Sequence, residues 1–348
     1  MKKFTRFIFL ISSLILIFYF TFPYLELFLE KDKTQLKFEG DSKRVKLVSD
    51  IPFSKISEFL AESALIEDTA IINALVFYKN YELDTLKAGK YLIKKKWSNN
   101  KLVNQLYLMR NQNIIDLYVP SVRNIFILAG KVAKHTKLDS MSLVDLFNDK
   151  NTYEKLGFSS FTFPTFFLPN TFEIYSNINE EDFMDLMANS YKKFWNSSRI
   201  EKANKIGLSQ SEVTVLASIV QMEQQVRINE HAKIAGLYMN RLKKGMKLQA
   251  DPTVKFALNQ PKLKRVLNRH LKYDSPYNTY MYTGLPPGPI CIPEITVIDA
   301  VLNYEKHNYI YMCAEPTYSG KHNFAVTYKD HMKNYQLYKN WLNQEGIR

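Results

Sequence analysis

The chain has 348 residues, 46% of them apolar and 23% charged, a balance that excludes wholesale disorder and suits about two globular domains. Its 47 Lys and Arg against 34 Asp and Glu leave a net charge of +13, which favours anionic surroundings such as nucleic acid, acidic lipid or an acidic polymer. Two cysteines, Cys291 and Cys313, exclude a disulfide framework and a four-thiolate zinc site but leave one bridge open; the 11 glycines form no phosphate-cradling motif.

Lys2, Lys3 and Arg6 precede an uncharged run of 19 residues, 7–25. As a helix rising ~1.5 Å per residue, such a run is long enough to cross a hydrocarbon core of ~30 Å. Tyr19, Phe20, Phe22 and Tyr24 gather at its far end, where an interfacial belt would lie. The basic side stays in the cytoplasm and the rest of the chain is exported. The alternative is a cleaved signal peptide. That would have a shorter apolar region of ~7–15 residues, ending in small residues rather than bulky aromatics. Residues 1–25 are therefore expected to be a cytoplasmic tail and a retained single-pass anchor in the cytoplasmic (inner) membrane. Nucleic acid then drops out as a partner.

Residues 26–43 are polar and read as a linker. Residues 44–109 alternate strand-like and helix-like pieces, a small α+β unit. Residues 45–48 read as a strand. Ile56, Phe59 and Leu60 fall at helical spacing, and Gly89 opens a second strand. Ser98 is placed to cap a helix carrying Leu102, Val103 and Leu106 on one face. Residues 110–208 read as mostly helical, interrupted by an aromatic stretch over 161–175. Ser209 and Glu212 form a capping box ahead of an apolar helix. Asn229 with Glu230 opens a second helix that ends at Lys243, Lys244 and Gly245. Residues 275–294 hold five of the 13 prolines, and a loop so long and stiff is usually functional. Strands over 309–314 and 324–327 and a helix over 328–342 close the chain.

The helix from Ser209 carries Val213, Leu216, Ala217 and Val220 on one face, and Glu223 is the next member of that series. A carboxyl on an apolar face, in the last turn of a helix, has two reasons to hold its proton: burial and the negative helix end. A protonated carboxyl near neutral pH is what a general acid requires. The alternative is a Glu that escapes to solvent or pairs with a Lys or Arg. Downstream, Gln249, Asp251, Tyr277, Asn278, Thr279 and Tyr280 supply amides, hydroxyls and rings on tight turns, the groups that sugars need. Structural packing is the other reading of that Pro/Tyr loop. No nucleophile elbow, no H-E-x-x-H and no C-x-x-C is present, so serine-hydrolase, zinc and thiol redox chemistry fit worse. No cofactor is called for.

At these residues the chain resembles the YceG-like family of membrane-anchored endolytic murein transglycosylases. The resemblance rests on residues 216–223 (LASIVQME), 240–242 (NRL), 248–254 (LQADPTV), 275–280 (SPYNTY), 284–290 (GLPPGPI) and 322–324 (HNF). It implies an α+β fold with an N-terminal anchor, a LysM-like subdomain over 44–109 and a catalytic domain over 110–348. It also implies cleavage of the β-1,4 bond between N-acetylmuramic acid and N-acetylglucosamine inside peptidoglycan glycan strands. The products would be 1,6-anhydro ends, the cut would terminate glycan polymerisation, and a penicillin-binding polymerase would be a partner. The family's catalytic Glu maps onto Glu223. A second Glu often found two residues earlier is Gln221 here, and the segment 291–294 (CIPE) departs from the usual loop ending. Gln224, Gln225 and Arg227 are also unusual. One carboxyl suffices for this chemistry, whereas a retaining hydrolase needs two about 5 Å apart. Two other functions remain: an inactive murein-binding scaffold that recruits a polymerase, and a hydrolytic muramidase.

Overall fold

The computed structural model describes residues 28–110, 114–263 and 265–346. The expected membrane segment 7–25 lies outside them, and among the described residues no helix is long and apolar enough to cross a membrane. The chain divides into two compact units. One holds the chain up to Leu117 together with Glu173–Ile178; the other holds Tyr118–Phe172 and the chain from Asn179 on. Each mixes helices and strands, so the fold is α+β.

The first unit is built on a sheet of order β1-β2-β3-β4, comprising β1 (Ser42–Leu47), β2 (Gly89–Lys94), β3 (Ile114–Val119) and β4 (Asn170–Tyr175). β1 and β2 run antiparallel from Ser42↔Lys94 to Leu47↔Gly89. Alternation decides the faces: Val45, Leu47, Tyr91 and Ile93 are buried, while Arg44 and Lys46 stay in solvent. Three helices, α1 (Ile56–Glu62), α2 (Ala70–Tyr78) and α3 (Asn99–Met109), supply the remainder of this core. Ser98 caps α3 as expected, accepting from Lys101 N–H at 3.3 Å. The mostly helical reading of 110–208 needs correction at β3, whereas β4 falls within the interruption expected over 161–175. Leu117 and Val119 point inward and Asp116 and Tyr118 outward, a period of two rather than 3.6.

In the second unit α4 (Ile125–Ala133) precedes the central helix, α5 (Gln210–Glu223). The capping box forms: Ser209 Oγ accepts from Glu212 N–H at 3.3 Å, and Glu212 Oε2 accepts from Ser209 N–H at 2.8 Å. The middle of α5 is buried on every side, from Val213 to Val220, rather than on one face. Thr214 and Ser218 fit there by returning their hydroxyls to the Gln210 and Val215 carbonyls.

α6 (His231–Lys243) packs on α5, and Gly245 at φ +62° follows its end. α6 opens at Glu230 as expected, but the Glu230 side chain makes no cap bond to it. A short 3₁₀ turn, Ile228–Glu230, precedes the helix, and the Glu230 carboxylate faces Gln224 and His322 instead. Gly236, mid-helix, is a close approach, since a Cβ there would strike Glu305 O and the His307 ring. The loop 275–294 is tied to α5. Ile290 N–H donates to Ser218 Oγ at 3.0 Å, and Glu294 N–H donates to Gln221 Oε1 at 2.7 Å. α7 (Asp251–Ala257) and α8 (Ile295–Leu302) pack on α5 as well. A hairpin of β5 (Tyr311–Ala314) and β6 (His322–Ala325) precedes α9 (Tyr328–Gln344). The second strand thus begins at His322, two residues earlier than its expected start at 324. Cys291 and Cys313 are both free thiols. Cys291 is buried with its Sγ on the Ser218 carbonyl, and burial pushes the thiol up to about 12.

Candidate active site

Glu223 is the last residue of α5, and the helix closes behind it as Gln224 N–H bonds Val220 O at 3.1 Å. Tyr238 of α6 donates its hydroxyl to Glu223 Oε1 at 2.8 Å. Tyr238 is only 1% exposed, so its ring forms a dry floor beneath the carboxyl. Loss of hydration pushes the Glu223 carboxyl up to about 7. The negative charge of Asp251 adds to that rise, while the Tyr238 bond and the positive charges of Lys255 and Arg241 oppose it. The residue as a whole keeps partial exposure, so the proton it holds at neutral pH remains within reach of a bound molecule.

Arg241 lies three residues beyond Tyr238 on the same buried stripe of α6. Its Nε donates to Ile310 O at 2.7 Å, and its Nη1 donates to Lys247 O at 3.0 Å, Leu248 O at 2.9 Å and Gln249 Oε1 at 3.2 Å. Gln249 sits at φ +54°, a left-handed conformation that these bonds hold in place. The turn then delivers Asp251 to the first turn of α7, where its Oδ1 accepts from the Tyr280 hydroxyl at 2.6 Å.

Of the expected site residues, Asp251 and Tyr280 lie within electrostatic reach of Glu223, and Gln249 is tied to them through Arg241. Asn278 and Thr279 were expected as substrate contacts, but they are 0% and 2% exposed. Asn278 Nδ2 donates to Leu271 O and Tyr273 O, and Thr279 Oγ1 bonds Ala250 N–H and Thr253 Oγ1. They fix the loop and present nothing to a ligand. The Tyr277 ring lies tilted against Phe256, centroids 4.7 Å apart, and lines a second cavity of about 230 Å³.

Two side chains at the site, Tyr238 and Arg241, have no role in the sequence reading. Tyr238 and Arg241 carried one signal, two polar groups three apart on an otherwise apolar stripe. Gln221 is a strut, its Nε2 donating to Ser121 Oγ at 2.8 Å while its Oε1 holds Glu294. Gln224 is a buried latch: its Nε2 donates to Glu230 Oε2 at 2.8 Å and to Gly320 O at 2.9 Å. Burial pushes Glu230 up, but the bonds it accepts from the backbone and ring of His322 and from Gln224 together hold its carboxyl below the usual range. Arg227 reaches Ser319 O at 2.6 Å, so the latch and Arg227 both tie the end of α5 to the β5–β6 turn.

A cavity of about 340 Å³ runs along this end of α5, with Gln221, Met222 and Gln225 on one wall and Pro252 and Lys255 on another. The arrangement offers one poised carboxyl, a dry tyrosine behind it and a groove beside it. The sequence profile of the YceG-like family matches residues 45–337. The endolytic murein transglycosylase of Bacillus subtilis (strain 168) is 28% identical over 332 residues, 88% of this chain and 88% of that protein. The endolytic murein transglycosylase of Streptococcus pneumoniae (serotype 2, strain D39) is 25% identical over 346 residues, and the match spans 86% of this chain but 59% of the pneumococcal protein. Among solved structures, a yceG-like protein of Listeria monocytogenes aligns with a TM-score of 0.56 at 25% identity, covering 84% of this chain and 98% of that one. A family match across most of the chain, with Glu223 and its surrounding motifs inside it, shows that this chain belongs to the YceG-like family.

Proposed function

We propose that the chain is an endolytic murein transglycosylase, and that Glu223 is its acid and base. The observation that carries this reading is a single carboxyl, held by burial near a pKa of about 7 at the end of an apolar helix. Glu223 gives its proton to the glycosidic oxygen as the bond to muramyl C1 breaks. The resulting carboxylate takes the proton of the muramyl C6 hydroxyl as that oxygen closes on C1. Atoms balance without water, and the enzyme ends in its starting state. Asp251, whose charge reaches Glu223, offers electrostatic support to the positive charge that develops on the ring. Its Oδ1 is engaged by Tyr280, which suits a fixed charge better than a nucleophile.

The product decides the mechanism. Digested glycan strands are expected to end in 1,6-anhydro-muramyl residues, lighter by one water than hydrolytic ends in mass spectra. Ends that borohydride reduces would mean that water attacks and that a muramidase is at work. No cleavage at all by a folded protein that binds the strands would leave the scaffold reading.

The location forms part of the same proposal. The apolar run 7–25 anchors the chain in the cytoplasmic membrane, with the Glu223 unit outside, where it cuts nascent strands beside a polymerase and ends their growth. The full chain is expected to fractionate with membranes and to resist extraction by salt. Recovery of a soluble mature form that starts after residue 25 would contradict this.

A further inference from the structure

Two cavities of the second unit share walls. The one beside the end of α5, about 340 Å³, and the one lined by Tyr277, about 230 Å³, have Arg123, Phe256 and Cys291 in common. The smaller is walled by rings, among them Phe126, Phe147 and Phe161. Arg123 stands where the two meet, just before α4.

The partners of this guanidinium are unlike those of five other arginines. Arg44, Arg110 and Arg199 each pair with a carboxylate, and Arg227 and Arg241 donate to carbonyls. Among the described residues Arg123 has neither; its contact is the Phe256 ring, 5.8 Å from its Cζ. It is half-buried, and the hydration it has lost pulls its pKa below the ordinary arginine value. A partly dehydrated cation between apolar walls is costly unless an anion completes it, and the planar fork fits a carboxylate two-pronged. Few polar groups in a mostly apolar cavity is also how ligand sites fix orientation.

We propose that Arg123 recognises a carboxylate on the peptide stem of the glycan strand, with the aromatic cavity receiving the stem's alkyl groups. The inference rests on the murein reading above and adds to it a substrate preference: strands with acidic stems are held better than strands with neutral ones.

The test measures binding, so that it does not depend on turnover. Full-length Glu223→Gln protein is titrated calorimetrically with short stem-bearing strands and with the same strands after their carboxylates have been amidated. Arg123→Gln, added to that background, is expected to weaken binding of the acidic strands roughly 10–100-fold, the range for a charge-assisted pair, and to leave the amidated strands unchanged. Arg123→Lys should fall between. Thermal melts check that each variant folds. Equal weakening on both strand types, no weakening on either, or no binding of any strand would overturn the proposal. The two readings fail separately. Discrimination by charge without anhydro product from the native chain defeats the transglycosylase reading and leaves the carboxylate site. Anhydro product without discrimination does the reverse.

Discussion

Glu223→Gln is expected to remove strand cleavage, by at least the ~10²–10⁴-fold typical of a lost acid–base group, while making the protein harder to unfold at alkaline pH. The amide keeps the shape and still accepts the Tyr238 hydroxyl bond, so the fold has no reason to change. The stability gain follows from linkage. The folded state raises the Glu223 pKa from 4.5 to about 7. A carboxyl whose folded pKa is raised contributes stability that is complete below its unfolded pKa and is lost as pH rises through the folded one. For Glu223 the loss therefore falls between about pH 4.5 and pH 7, and a displacement of that size is worth roughly 3 kcal/mol. The Gln variant has no such loss. Melting curves should nearly coincide for the two proteins at pH 4.5 and separate at pH 8, with the variant higher. The native rate should fall above pH 7 as the acid ionises. A folded variant with near-normal turnover sinks the assignment. Curves that coincide at both pH values mean that the carboxyl is not dehydrated.

Local rules make part of this architecture legible in the sequence. The Ser209–Glu212 capping box and the apolar series that follows it define α5 through contacts three and four residues apart, and Glu223 stood out because it interrupted that series. Ser98 and the alternation in β1 and β2 were equally local. The failures share a cause: they concern partners distant in the chain. β3 becomes a strand by pairing with β2 earlier in the chain, so a segmental reading of 110–208 passes over it. α6 does open at Glu230, but the carboxylate is claimed by His322, 92 residues away, rather than by the N–H groups of the helix. Asn278 and Thr279 have the chemistry of sugar ligands. Only the carbonyls of Leu271 and Tyr273 and the hydroxyl of Thr253 reveal that they serve the loop. The sequence therefore exposes the acid more readily than the scaffold that aims it.

That scaffold depends most on Arg241, and Arg241→Met is expected to cost more stability than any other single change near the site. Methionine keeps the apolar stem but leaves the oxygens of Ile310, Lys247, Leu248 and Gln249 without their donor. A buried acceptor stripped of its partner costs about 1–3 kcal/mol, and water admitted by the shorter side chain recovers part of that. A net loss of roughly 3–5 kcal/mol is expected, which lowers the melting temperature by about 10 °C for a unit of this size. The damage extends to the chemistry. Gln249 holds its left-handed backbone because Arg241 and Thr279 grip it from two sides, and Asp251 follows two residues later. Loosening that turn moves the charge that supports Glu223. Two effects can be separated by Arg241→Lys, which keeps the charge but lacks the planar fork. Arg241 favours the ionised form of Glu223, so the methionine variant should carry its alkaline rate limb to higher pH, whereas the lysine variant should leave the limb in place and still melt early. A methionine variant that melts within about 3 °C of the native protein would mean that the 247–249 turn stands without Arg241, and that the acid is aimed by α5 and Tyr238 alone.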